Sequence, residues 1–528
     1  MAFQVSPGVA ISEVDLSTTI PTASVSDAGF VGFFTKGPCN KIVNIGSENE
    51  LVETFGKPVS GNAADWLTVA SFLAYGGSIQ VVRQSDGSAR NAGNGAAGVY
   101  IPTQEYFETA ATGDIPANAV YARTAGSWGN GLKVLVFDKD HESDDVGGGY
   151  NLPVIDNETD IHVLVELDGS IVESFEWLSV TSGSKDASGN NNFYADVINQ
   201  QSAYIYAGST SISVEDNTGD GYNSISLAHG SDELGPAKKD YDLFLDTDQV
   251  DLALIVTGIS TDTITNNDES IELATSRKDC VAFVSPPLAD VVGNKTLAAK
   301  AEDVVEARND ISTPNSYGFM DSGWKKMYDK YNDTWVQVPL NGDMAGLCVA
   351  TDQNREPWYS PAGFNRGQIR NCAGLLFDPN QTSRDTLYKN NVNPVSSFPG
   401  EGYVLFGDKT LQAKPSAFDR INVRRLFIVL EKAIANAAKY SLFEFNDEFT
   451  RAQFRSIVDP FLSNIKSRRG VYDYLVVCDN SNNTPDVIDR NEFIGDIFIK
   501  PARSINFIQL NFVAVKTGVS FQEIIGAV

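Results

Sequence analysis

The chain has 528 residues, 42% of them hydrophobic and 20% charged, and a formal net charge of −28. That length exceeds one ordinary core, so about two to four domains are expected, and the acidic balance argues against free nucleic acid as a partner. No apolar run approaches the ~20 residues of a membrane helix, and the start Met1-Ala2-Phe3-Gln4-Val5-Ser6-Pro7 has neither the basic nor the apolar region of a secretory signal.

In chain order, Val9 and Ile11 alternate with polar neighbours, the phase slips at Glu13, and Val14 and Leu16 resume it. This is the period-two pattern of a lone strand. Residues 27–34 read as a strand, 65–75 as a helix between Asn62 and Gly76-Gly77, and 79–84 as a strand. Residues 86–95, rich in Gly and Asn, read as a flexible linker. Beyond them, short alternating runs at 132–137, 161–167, 171–178 and 204–214 are separated by Gly/Asn/Asp clusters, which predicts a β-rich insertion over 88–232. That stretch carries 5 Lys+Arg against 21 Asp+Glu and so is expected to face water.

An α/β pattern resumes near Glu233. Residues 250–256 and 280–285 are expected strands, 270–277 and 295–309 helices, and 317–331 with 334–338 a hairpin meeting a loop. The longest helical patterns are 424–439 and 447–467. Residues 471–478, 493–500 and 505–516 are expected strands. In the last, Ile508, Leu510, Phe512 and Ala514 alternate with Gln509, Asn511 and Val513, Gly518 breaks the run, and Val519, Phe521 and Ile524 follow. Two free ends that both read as lone strands need a sheet edge, and an edge on another subunit would make the chain a link in a polymer.

Candidate chemistry is sparse. Gly93-Asn94-Gly95-Ala96-Ala97-Gly98 spells a dinucleotide motif, but Val99-Tyr100-Ile101-Pro102 is no helix start, so a linker is the better reading. Asp216 to Gly221 resembles the start of a calcium loop, yet Leu227 stands where the bidentate Glu belongs. His141, His162 and His229 lack paired spacing, and Cys39, Cys280, Cys348, Cys372 and Cys478 show no C-x-x-C, which fits a reducing cytoplasm. No cofactor and no metal are expected. Arg424, Lys432 and Lys439 are spaced by eight and seven and fall near one helical face, with Arg420 and Arg425 close by. They read either as a solvated face with local ion pairs to Asp419 and Glu431, or as a cationic surface for an acidic partner.

Val487-Ile488-Asp489-Arg490-Asn491-Glu492-Phe493 followed by Pro501-Ala502-Arg503-Ser504-Ile505-Asn506 resembles the C-terminal signature of contractile phage tail sheath proteins of the T-even type. Further matches are Phe418-Asp419-Arg420-Ile421-Asn422-Val423-Arg424-Arg425, Ser360-Pro361-Ala362-Gly363-Phe364-Asn365-Arg366-Gly367, Ser6-Pro7-Gly8-Val9 and Phe55-Gly56-Lys57-Pro58. Residues 88–232 show no such resemblance and are shorter than the T-even counterpart, so an outer domain of that family is expected to be missing.

The resemblance implies an α/β, multidomain fold: an arm at 1–20, a middle domain of 21–87 plus 233–395, the acidic outer insertion at 88–232, and an inner domain at 396–528 ending in a second arm. It implies subunit-linking arms carrying Val9, Ile11, Val14, Leu16, Val519, Phe521 and Ile524. Their acceptor strands would carry Phe493, Ile497, Phe498, Ile508, Leu510 and Phe512, the sheet being built from residues 493–500 and 505–516. The tube-facing basic residues would be Arg420, Arg424, Arg425, Lys432 and Lys439. The implied function is a non-enzymatic structural one in the virion tail: a helical homopolymer of six-fold rings or strands around the tail tube, contracting without nucleotide hydrolysis. The implied partners are copies of itself, the tail tube protein, and baseplate and tail terminator proteins, with assembly in the host cytoplasm. The sheath of a phage-like bacterial injection device of the tailocin type is the alternative within the class. A nucleotide-binding α/β enzyme, or a tail tube or baseplate protein, is the alternative outside it.

Overall fold

The computed structural model describes residues 26–506 and Gln509, apart from 96, 111–119, 140–149, 151, 210–211, 216–221, 235–237 and 262–264. The expected arm residues Val9, Ile11, Val14, Leu16, Val519, Phe521 and Ile524, and the expected acceptors Ile508, Leu510 and Phe512, lie outside the described residues.

The chain opens with β1 (Asp27–Gly32), β2 (Ile42–Ile45), α1 (Glu48–Phe55), α2 (Ala63–Leu73) and β3 (Ser78–Arg83). An insertion follows, with α3 (Gln104–Ala110), β4 (Val120–Ala122), β5 (Leu132–Phe137), β6 (Asp160–Leu167), β7 (Ser170–Ser179), α4 (Tyr194–Gln201), β8 (Ile205–Ala207) and β9 (Asn223–Ser226). The chain then returns through β10 (Leu254–Val256), α5 (Asn266–Arg277), β11 (Val281–Val284), α6 (Leu288–Val292), α7 (Leu297–Asp310) and β12 (Gly318–Met320). After these come β13 (Trp324–Asp329), β14 (Thr334–Pro339), α8 (Asn341–Asn354), β15 (Gly374–Leu375), α9 (Gln381–Lys389), β16 (Val395–Phe398) and β17 (Gly402–Leu405). The last described elements are α10 (Ile421–Ala438), α11 (Glu448–Ser467), β18 (Val471–Val477), α12 (Pro485–Asp489) and β19 (Asp496–Pro501).

Six strands form the central sheet in the order β12-β11-β10-β1-β3-β2, parallel except for β2 at the edge. Alternate residues of each strand serve opposite cores. Ala28, Phe30, Val81, Leu254, Val256 and Phe283 pack on one face with α2 and α8. Val31, Val82, Ile255, Ala282 and Val284 pack on the other with α5 and α7. Burial on both faces is why these strands are runs of apolar residues without strict alternation. The fold is α/β and multidomain, as expected. β3 leads into the insertion and β10 returns from it, and both lie beside β1.

The 86–95 stretch is not a flexible linker. Arg90 N–H donates to Ser231 O at 3.0 Å, Asn91 N–H to Val99 O at 2.7 Å and Gly93 N–H to Ala228 O at 2.9 Å, making a neck of paired extended segments. A Cβ at Gly98 would sit 2.2 Å from His229 O, so glycine there serves close approach of two chain segments. Among the described residues the 204–214 run contributes the short β8, which pairs with β4. The unexpected β9 completes the antiparallel sheet β7-β6-β5-β9, whose inner face holds Val134, Val136, Val163 and Val165.

His162 lies on β6 in this insertion, 1% exposed. Nε2 faces Pro153 O at 3.0 Å and Nδ1 accepts from Trp177 N–H at 3.0 Å. Burial holds the imidazole below its ordinary range. The folded pKa therefore lies below the unfolded one, so the unfolded chain takes up the proton first. The stability tied to neutral His162 is present above about pH 6.5 and is lost as pH falls through the window below it. We predict that unfolding of the insertion is easier at about pH 5 than at about pH 7.5, and that His162→Gln flattens that difference. Thermal melts of both proteins across this range test it; parallel profiles would remove His162 as the cause.

Candidate assembly interface

α10 turns two sides to two cores. Ile421 and Ile428 are buried with the sheet-and-α8 core, which includes Leu347 and Val349. Leu426 and Leu430 are buried instead with Phe454, Val458, Leu462 and Ile465 of α11 and with Val471 of β18. A helix with apolar residues in two directions needs covering on both. Arg425 of α10 also reaches Asp352 of α8, with Nη1 3.0 Å from Oδ1 and the side chains 4% and 5% exposed.

Asp447 caps the start of α11, its carboxylate accepting from Thr450 N–H at 2.8 Å. Its apolar stripe carries one face of an antiparallel pair, β18 with β19, in which Tyr474, Leu475 and Val476 face Ile499, Phe498 and Ile497. Tyr474, Val476, Ile497 and Ile499 pack toward α11. Tyr472, Leu475 and Phe498 point away and are 66%, 58% and 60% exposed. Among the described residues no third strand pairs with either edge. A lone two-stranded sheet is marginal, and open edges beside an exposed apolar face are what strand addition uses.

Of the expected acceptor residues, Ile497 and Phe498 lie on this sheet. Phe493 does not: it precedes β19 and its ring meets Phe454 at a centroid distance of 5.5 Å. Among the described residues β19 pairs with β18, and Ile505 and Asn506 are in no strand; residues 510–516 of the expected partner strand lie outside the described residues. A second exposed apolar surface went unread in the sequence. Tyr440, Leu442, Phe443, Phe445 and Phe449, between and at the start of the two long helices, are each at least 62% exposed. The available signal was five large apolar residues in ten without helical or strand periodicity.

The cationic face expected on α10 needs correction. Arg424 and Arg425 are buried. Arg424 lies between the rings of Tyr317 and Phe418, at 4.5 and 4.4 Å, with Glu431 at 3.7 Å. Lys432 pairs with Asp251 and lies 3.8 Å from Asp279. Arg420 Nη1 is 3.2 Å from Asp408 Oδ1. Lys439 alone of the five is largely exposed, 3.8 Å from an exposed Asp248. Spacing did put these residues near one face, but that face meets the sheet body: the partners of Arg425 and Lys432 lie 73 and 181 residues away in sequence, beside the expected local pairs of Arg420 with Asp419 and Arg424 with Glu431. The cysteines are unpaired thiols, and burial pushes Cys348 up to about 12 and Cys372 to about 11, far from nucleophilic thiolates.

Residues 238–411 match the family described as phage tail sheath protein central domain, and residues 413–514 the phage tail sheath C-terminal domain. The tail sheath protein of Vibrio phage KVP40 is 33% identical over 675 aligned positions, spanning 99% of each chain. That of Enterobacteria phage T4 is 31% identical over 660, again 99% of each. Both alignments are longer than the 528 residues of this chain, so each relative carries sequence without a counterpart here. Among solved structures, the contracted helical sheath of the anti-feeding prophage superposes with a TM-score of 0.54 at 13% identity, over 97% of this chain and 99% of the other. A sheath tail protein from Listeria innocua gives 0.58 at 12%, over 91% and 96%. At such identities the two likenesses concern the fold alone.

Proposed function

The chain belongs to the phage tail sheath family, and from that premise we propose that it polymerises as a helical sheath around a phage tail tube. The sheath contracts without nucleotide hydrolysis to drive the tube through the host envelope. The observation that carries this reading is the β18–β19 pair, apolar and open on one face, in a chain whose two ends both have lone-strand patterns. An N-terminal arm from one neighbour and a C-terminal arm from another extend the sheet. Such a contact is heterologous and builds an open helix. Each added backbone hydrogen bond contributes only about 1 kcal/mol, so several per arm hold subunits together while larger interfaces re-form. Contraction then draws on energy stored at assembly, a small gain per subunit summed over the polymer.

In this reading residues 1–20 form the arm, 21–87 with 233–395 the middle domain, and 396–528 the inner domain. Residues 88–232 stand outside, because packing net-negative insertions together would strip water from unpaired carboxylates. The partners are copies of the chain, the tail tube, and baseplate and terminator proteins; the sheath is assembled in the host cytoplasm and ends in the virion. Relatives along the full length are phage proteins, which favours a phage tail over a bacterial injection device.

Electron microscopy of the purified protein tests the reading. Striated tubes are expected, with the insertion at the outer radius in a helical reconstruction. Monomers or closed dimers at every concentration would overturn polymerisation, and an insertion lining the lumen would overturn the domain arrangement. A double Leu475→Thr, Phe498→Thr variant should fold within about 0.5 kcal/mol of wild type, both sites being exposed. Its critical concentration for tubes should rise by about tenfold, the equivalent of ~1.4 kcal/mol. Light scattering against concentration reads this, and an unchanged threshold would show that the open face is not the contact.

A further inference from the structure

Beyond Ala502, whose N–H donates to Gly470 O at 3.1 Å, residues 503–506 belong to no strand, and Ile505 is 82% exposed. They run along a cleft of about 1060 Å³ between the β18–β19 unit and the wall built by α9 and the segment after β17. Asp408 lies in that wall, 2% exposed. Three groups of the wall reach its carboxylate. Ser360 Oγ donates to Oδ2 at 3.1 Å, Arg420 Nη1 to Oδ1 at 3.2 Å and Tyr388 OH to Oδ1 at 3.4 Å. Two more come from the departing chain: Ser504 Oγ donates to Oδ2 at 2.7 Å, and Asn506 Nδ2 to Oδ1 at 3.1 Å and to Tyr388 OH at 3.0 Å.

Asp408 has its charge and hydrogen bonds provided for by Arg420, Ser360 and Tyr388. It does not need Ser504 or Asn506, whereas the segment gains its fixed path from those two contacts. Hydrogen bonds to a carboxylate are about twice as strong as neutral ones, yet here they come from side chains and leave the backbone of 503–506 outside any ladder.

We propose that Asp408 is a fastening point that fixes where and in which direction the C-terminal segment leaves the subunit, with Ser504 and Asn506 as positioning residues for the link to the next copy. The consequence for assembly rests on the strand-exchange reading above; the consequence for the isolated subunit does not.

The test uses full-length protein below its polymerisation threshold. Ser504→Ala with Asn506→Ala removes the segment's half of the contact and leaves Asp408 with its other partners; Asp408→Asn removes the charge. Limited proteolysis at Phe507 and Lys516 is followed by mass spectrometry. Cleavage should be about tenfold faster in both variants, and equally so in the double variant alone if Asp408→Asn does not fold. Tubes grown from the double variant should lose uniform helical order. Cleavage within about twofold of wild type overturns the proposal, and so does faster cleavage with tubes of unaltered order. Absence of tubes from wild-type protein would refute the polymer reading and leave the cleavage comparison standing.

Discussion

Removing residues 1–17, or residues 519–528, is expected to leave a soluble, folded protein that no longer forms tubes. The two cores of the sheet body, the core of the insertion and that of the α10–α11 unit each gather many buried side chains among the described residues, so the fold is expected to survive truncation. Truncation therefore leaves secondary structure and melting nearly unchanged. On the strand-exchange reading proposed above, it would remove the strand added to a neighbour's β18–β19 pair, and with it several backbone hydrogen bonds per junction at about 1 kcal/mol each. Over a polymer in which every junction is the same, that loss shifts the threshold by orders of magnitude. A chain lacking one arm still offers its sheet edge, so it should cap wild-type polymers and shorten them at substoichiometric ratios. Sedimentation velocity, circular dichroism and tube-length distributions decide the matter. Truncated protein that builds tubes of normal order would show that the cores, and not the arms, make the polymer.

Arg425→Met is expected to destabilise the C-terminal half strongly. Arg425 and Asp352 are both nearly inaccessible and face each other across the junction of α10 and α8. Taking away the cation strands a buried carboxylate, at a cost of ~3–5 kcal/mol. Replacing both, Arg425→Met with Asp352→Leu, should recover most of that loss, because the desolvation of the pair goes with it. Urea denaturation followed by tryptophan fluorescence compares the two. If the single variant matches wild type to within about 0.5 kcal/mol, the pair is not buried as described.

The central strands were legible because a sheet buried on both faces leaves short apolar runs, and residues 27–34, 79–84 and 280–285 each differ from β1, β3 and β11 by no more than two residues at an end. α8 was not. Its glycines argue against a helix by propensity, but they are there for contact with α2: a Cβ at Gly342 would lie 2.4 Å from Thr68 O, and one at Gly346 2.3 Å from the Tyr75 ring. Close packing outweighed local preference. Both long C-terminal helices were legible from their periodicity, but the environment of the α10 cations was not. Asp251, Asp352 and Asp408 reach them through the tertiary fold, and local spacing carries no information about such partners. The open β18–β19 face was half legible: Ile497 and Phe498 were picked out, whereas Tyr472 and Leu475 lay in an expected strand to which no exposed face was assigned.

The two-sided burial of α10 bears on how a tail of such subunits would shorten. A helix that closes two cores at once acts as an axle keyed at both ends: neither unit can turn on it without opening the other. Torque applied at the β18–β19 sheet would then be delivered to the six-stranded sheet body with no slack, leaving compliance to the connections between copies. The stroke would scale with the number of rings and not with any refolding inside a ring. Far-UV circular dichroism and amide exchange of the α10 core should thus be indistinguishable before and after the tail has fired.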